Sequence, residues 1–152
     1  MKRNGILNLC LNQAIAAMGH GDYLIVCDAG FPIPIRVTRI DLAVVPDLPD
    51  IATVLTAINN EFVAEKVAYA AEMAHNNPRL REKVDRIFAG TEITTVPQAD
   101  ILGTLVHNAK FIVRTGEFDP RGNILLYSGV DVKQWFSKAG TVVPDYYQAR
   151  MK

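Results

Sequence analysis

From Ile6 to Met18 the apolar residues Ile6, Leu7, Cys10, Leu11, Ala14, Ile15 and Met18 recur at three- and four-residue steps, which puts them on one stripe of a helix. Gly19 is placed to end that helix as a left-handed cap. The period then changes. Tyr23-Leu24-Ile25-Val26-Cys27 is a short unbroken apolar run with β-branched residues, the mark of a strand buried on both faces. Pro32 and Pro34 keep 31–35 extended, and Leu42-Ala43-Val44-Val45 predicts a second strand. Asp47, Pro49 and Asp50 open a helix whose buried stripe is Ile51, Val54, Leu55 and Ile58, ending near Asn59-Asn60.

The stretch 63–74 is mixed: its alanines and glutamates favour helix, its neighbours favour a strand, and the strand is preferred. Asn77-Pro78 starts a helix with Leu80, Val84, Ile87 and Phe88 on its apolar face, ended by Gly90. Strands are predicted at 92–96, 110–114 and 123–127, with a helix at 98–108. Buried strands alternating with helices predict an α/β fold of three layers. Its centre is a mixed or mostly parallel sheet of about six strands flanked by helices, within a domain of residues 1–130. In 131–152 the composition changes. Asp131 caps a short helix carrying Val132, Trp135 and Phe136, Gly140 ends it, and an aromatic tail with Tyr146 and Tyr147 is expected to pack on the domain or on a neighbouring subunit.

At 152 residues with 49% hydrophobic and 21% charged residues, the chain is one packed globular domain in size and composition. Sixteen basic residues balance sixteen acidic ones, so no broad field attracts nucleic acid or an anionic membrane, and neither is expected as a partner. Zero net charge is also a hint of self-assembly. Cys10 and Cys27 both lie in apolar stretches that read as core, and two such thiols suit a reducing compartment. The apolar segment after the basic start is broken by Asn8, Asn12 and Gln13, so no export signal is expected and the chain is placed in the cytoplasm.

Gly19, Gly21 and Gly30 lack the spacing of a phosphate-binding loop, so nucleotide cofactors are not expected. His20, His75 and His107 are too scattered for a zinc site, and no metal is expected. What remains is a set of loop residues. Asp28 follows a strand's carboxyl end, where α/β sheets bind ligands. His20 lies at the other end of the same strand, roughly 20 Å away, so the two meet only if the turn folds back or a site is shared between subunits. Arg39 and Asp41 read as a structural ion pair.

Met-Gly-His-Gly-Asp at 18–22, then 24–34 with Asp28-Ala29-Gly30-Phe31-Pro32-Ile33-Pro34, then Thr38-Arg39-Ile40-Asp41-Leu42-Ala43 resemble the N-terminal signature of the D-ribose pyranase and L-fucose mutarotase family. Asn60-Glu61, His75-Asn76-Asn77-Pro78, Arg114-Thr115-Gly116-Glu117, and Asn123-Ile124-Leu125-Leu126 with Gly129-Val130 continue it to about residue 130. The resemblance implies a cofactor-free, metal-free isomerase of a free monosaccharide, built as a ring-shaped homo-oligomer with sites between subunits. It assigns His20 as proton donor and Asp28 as sugar ligand, with Arg121, Gly122 and Asn123 in the substrate-binding segment. The Pro-Ile-Pro segment is closer to the pyranase branch and favours ribose. Two positions depart from the family: Val96 follows Thr94-Thr95 where a second histidine is expected, with His107 no match for it, and Arg121 replaces an aromatic residue.

A histidine can both donate and accept a proton near neutral pH, which is what opening and closing a sugar ring needs. Asp28 and Asn123 can fix hydroxyls by hydrogen bonds. Three functions fit: a ribose-type pyranase, a mutarotase of L-fucose or another sugar, including an anionic one that Arg121 would pair with, and a non-catalytic sugar-binding or sensing protein.

Overall fold

The computed structural model describes residues 2–151. Strands β1 (Tyr23–Cys27), β2 (Thr38–Asp41), β3 (Ala64–Ala70), β4 (Glu92–Val96), β5 (Phe111–Arg114) and β6 (Asn123–Ser128) form a mixed sheet in the order β2-β5-β1-β6-β3-β4. Only β6 runs antiparallel to its neighbours, β1 and β3. The other pairs are parallel. The carboxyl ends of β1 to β5 and the start of β6 therefore share one edge of the sheet.

The central strands read as continuous apolar runs because they feed two cores. Leu24 and Val26 of β1, with Ile124 and Leu126 of β6, face a core shared with α1 (Leu9–Ala16), α2 (Ile51–Asn59) and α4 (Pro78–Ile87). Ile25, Cys27 and Leu125 point the opposite way, towards the 98–108 helix. That helix is built from α5 (Gln98–Asp100), a π-helical turn (Ile101–Leu105) and α6 (Val106–Asn108). Helices on both faces make the three predicted layers. Side-chain caps start the helices where expected: Asp50 accepts from Thr53 N–H at 2.8 Å, and Asn77 accepts from Leu80 N–H at 3.1 Å with Pro78 in the first turn. The ambiguous stretch resolves into β3 followed by the short α3 (Met73–Asn76).

Four local expectations are corrected. The second strand is Thr38–Asp41, not Leu42–Val45: as an edge strand β2 pairs only with β5, so its backbone ladder tolerates polar side chains. Val44 and Val45, which suggested a strand, stand exposed in a turn bridged to Leu48. Cys10 is exposed, because α1 is only two turns long and within it only Leu11 and Ala14 are buried. Gly19 is not the left-handed residue; Gly21 is, at φ 86°. Asp41 pairs with Arg114 and not Arg39, since β5 lies alongside β2 and Arg114 Nη1 reaches both carboxylate oxygens at 3.1 Å.

Beyond the sheet, α7 (Val132–Trp135) is capped by Asp131, and a 3-10 helix (Asp145–Met151) follows. Tyr147 is buried there.

The loop after β5 is stitched to the one before α2. Gly116 N–H donates to Pro49 O at 2.9 Å and Asp47 N–H donates to Gly116 O at 2.6 Å. A Cβ on Gly116 would lie 2.5 Å from the Leu48 carbonyl oxygen, against backbone that cannot swing away. Gly116→Ala is therefore expected to destabilise the fold by about 1–3 kcal/mol through overpacking, read as a lower denaturation midpoint in urea. An unchanged midpoint would show that the two loops do not pack so closely.

Candidate functional site

The carboxyl edge of the sheet carries a cavity of about 530 Å³ lined by Asp28, Gly30, Arg114, Glu117, Phe118 and Arg121 among others. Asp28 is half-buried at its base. Its main-chain N–H donates to Gly122 O at 2.8 Å, and its Oδ1 accepts from Gly30 N–H at 3.0 Å. Gly122 packs against the core here: a Cβ on it would be in ordinary contact, 3.4–3.5 Å, with Ile51, Leu80 and Asp28.

Glu117 is buried beside it. One carboxylate oxygen accepts from Ile51 N–H at the start of α2 (3.1 Å) and the other from Asp119 N–H (3.2 Å). Burial pushes the Asp28 carboxyl above the usual carboxylate range. Backbone hydrogen bonding at Gly30 and Gly122 works against this push, and the charge of Glu117 adds to it.

Asn123 opens β6 directly across from Cys27 and is 2% exposed. Its Oδ1 is buried with no hydrogen-bond partner among the described residues. A second such acceptor, Gln98 Oε1, lies just past β4 on the same edge. Buried polar atoms left unpaired are costly and mark places where a ligand or partner completes the bonding. Arg121, which lines the cavity with Asp28, is in the left-handed region at φ 66°. For a residue with a Cβ that geometry costs about 1–3 kcal/mol and persists only where the surroundings impose it.

His20 is elsewhere. It sits in the exposed turn before β1, at the opposite edge of the sheet, on a cavity of about 780 Å³ that it shares with Glu65, Glu92, Tyr147 and Arg150. Its Nε2 is 3.1 Å from Glu65 Oε2, and its ring centroid is 6.4 Å from that of Tyr147. The structure thus brings Asp28, Arg121, Gly122 and Asn123 together and leaves His20 apart from them. His75 and His107 are both exposed and lie in neither group. Among the described residues no group of three or more His, Cys, Asp or Glu side chains is arranged to hold a metal ion.

The sequence reading missed Glu65 and Gln98 altogether and noted Glu117 only within a family motif. Nothing in local periodicity marks Glu65, which lies in the stretch whose very element type was ambiguous. Glu117 carried a weak signal, as an acidic residue beside Thr115-Gly116 after a buried strand.

Residues 1–131 match the model of the RbsD / FucU transport protein family. The chain is 55% identical over 150 residues to "D-ribose pyranase 2" of Rubrobacter xylanophilus, covering 99% of this chain and 97% of the relative. It is 50% identical over 151 residues to "D-ribose pyranase 1" of Streptomyces griseus, covering 99% and 100%. The solved structure of Bacillus subtilis RbsD complexed with D-ribose superposes with a TM-score of 0.81 at 36% identity, covering 86% of this chain and 98% of that one. The 131–152 segment is thus shared with the first two relatives and extends beyond the third.

A carboxyl whose native pKa is raised binds its proton more tightly when folded than when unfolded. Its share of stability is present in acid and lost as pH rises through the native value. Asp28→Asn keeps the acceptor for Gly30 N–H but removes the charge. It is expected to melt at or above the parent at pH 7, with the advantage shrinking as pH falls into the carboxylate range. Thermal melts of both proteins from pH 4 to 8 check this, and a variant that is less stable throughout would contradict it.

Proposed function

The chain belongs to the RbsD / FucU transport protein family, and on that footing we propose that it interconverts cyclic forms of free D-ribose by general acid–base catalysis. The observation that carries this reading is the polar carboxyl edge: Asp28 lines its cavity, and the segment bound to it through Asp28 N–H and Gly122 O carries Asn123, whose buried Oδ1 has no partner among the described residues. A sugar presents several hydroxyl donors within a small volume and satisfies both.

The reaction asks little more. A base removes the proton of the anomeric hydroxyl while the bond from the anomeric carbon to the ring oxygen breaks and that oxygen gains a proton. Rotation of the open chain and closure by a different hydroxyl, with the proton steps reversed, completes the exchange. His20 supplies the proton transfer, an effect on the order of 10²–10⁴ in rate. Asp28, Gly122 and Asn123 hold the sugar, with Arg121 at the rim.

His20 and Asp28 lie at opposite ends of β1, so the working site is shared between subunits of a homo-oligomer, in keeping with a ring. Exposed Phe118 lines the Asp28 cavity, and the turn that carries exposed Val44, Val45 and Leu48 is tied to it through Phe118 N–H and Asp47 Oδ1; together they supply an apolar surface for that contact. Zero net charge favours such assembly. Both cysteines are free, and no helix among the described residues is long and apolar enough to cross a membrane. Those features support the cytoplasm as the setting.

A second reading, an anionic sugar, rests on Arg121, which lines the cavity and makes no ion pair with another described residue. Asp28, Glu117 and Asp119 on the same cavity oppose it, so neutral ribose is favoured.

Exchange NMR on free ribose tests the proposal. The parent should speed ring-form exchange, and His20→Ala should lower turnover by roughly 10² or more with sugar binding still measurable. Undiminished exchange in His20→Ala would leave a binding protein as the better reading. Sharing is tested by refolding an equal mixture of His20→Ala and Asp28→Asn chains. If each site takes His20 from one subunit and Asp28 from another, about one site in four receives both intact residues and activity returns. Two residues serving one site within a chain would give no recovery.

A further inference from the structure

We infer that Glu65 and Arg150, the latter from the segment beyond residue 131, are positioning residues that lock the tautomer of His20 with its hydrogen on Nε2, leaving Nδ1 as the atom that exchanges a proton with the sugar. This rests on the acid–base role of His20 argued above. An ionised carboxylate only accepts hydrogen bonds, so the imidazole nitrogen that faces it carries the hydrogen. Glu65 Oε2 lies 3.1 Å from His20 Nε2 and, on its other side, 3.0 Å from Arg150 Nη1. Nδ1 is then the ring nitrogen with a free lone pair.

An exposed ion pair alone would hold this loosely. Three features of the backbone tighten it, and the tail adds to them. The pairing of β3 with β6 slips between Ala64 and Lys66, so Glu65 is the bulged residue of its strand, and bulges re-aim side chains. Opposite it, Gly129 leaves room for the redirected side chain: a Cβ there would lie 2.6 Å from Glu65 Cβ and 3.0 Å from its Oε2. The His20 turn is tied to the same spot, since Gly21 N–H donates to Ser128 O at 3.0 Å and Ser128 N–H donates to Asp22 O at 2.8 Å.

The tail closes the arrangement. Tyr147 is buried between His20 and Phe136, with ring centroids 6.4 Å and 6.0 Å away. The Arg150 guanidinium lies 5.5 Å from the Tyr147 ring centroid, and its Nη2 donates to Val130 O at 3.3 Å. Lys66, the one cation of β3, is held over the Tyr127 ring at 4.2 Å, on a smaller cavity it shares with His20, Glu65 and Glu92. Arg150 therefore anchors the carboxylate that orients the histidine.

Long-range ¹H–¹⁵N spectra of the full chain, taken where the imidazole is neutral, read the tautomer directly. The parent should show the hydrogen on His20 Nε2 and a bare Nδ1. Glu65→Ala should give a mixture of tautomers, with kcat down roughly tenfold and KM within about threefold of the parent. Arg150→Met should move both readouts the same way, and Arg150→Lys should restore them, with thermal melts confirming that each variant is folded. A hydrogen on Nδ1 in the parent, or an unchanged tautomer and kcat in Glu65→Ala, would overturn the inference. A parent that does not exchange ribose ring forms would refute the function proposed above, while the ring-nitrogen spectra would still decide whether Glu65 and Arg150 set the tautomer.

Discussion

A strand buried on both faces has a fixed length and cannot bend to bring its ends together, and that constraint organises the chemistry of this chain. β1 is packed between β5 and β6, with Leu24 and Val26 in one core and Ile25 and Cys27 in the other. His20 precedes it and Asp28 follows it. No rearrangement short of unfolding the sheet would put the imidazole near the carboxylate within one copy. Under the proposed function, each edge of the sheet bears half of a site and a second copy supplies the other half.

The two halves are built on different physical terms. At the carboxyl edge, polar groups are held in partial burial by backbone: Gly122 O and Gly30 N–H on Asp28, and Ile51 N–H on Glu117. Burial raises the Asp28 carboxyl, and Asn123 Oδ1 is buried without a hydrogen-bond partner among the described residues. Stability given up at a site of this kind is what a ligand's hydroxyls restore on binding. The sheet and its two cores carry the cost.

At the opposite edge the groups are exposed, and order comes from packing. The bulge at Glu65, the absence of a side chain at Gly129 and the buried Tyr147 confine an imidazole that would otherwise turn freely in solvent. The segment after residue 131 thereby packs against His20 of its own copy, through Tyr147 and through Arg150 on Glu65. The matched solved relative, whose superposition covers 86% of this chain, shares the sheet without sharing that segment's full length.

Much of this was legible in the order of residues. The alternation of apolar runs with helical stripes determined the three layers, and Asp50 and Asn77-Pro78 marked helix starts, because caps and buried stripes are local physics within a few residues. The motif around His20 and Asp28 likewise singled out both residues, and strand length alone predicted that they stand apart. Other features depended on which strands became neighbours. Edge position made Thr38–Asp41 a strand in place of the more apolar 42–45, and β5 lying beside β2 gave Asp41 its partner in Arg114. Glu65 became a partner of His20 only through a slip in the β3–β6 register and a tail that returns from eighty-five residues further along, at Arg150. Such contacts join distant positions of the chain, and their energies exist only once the sheet has brought those positions within a few ångströms.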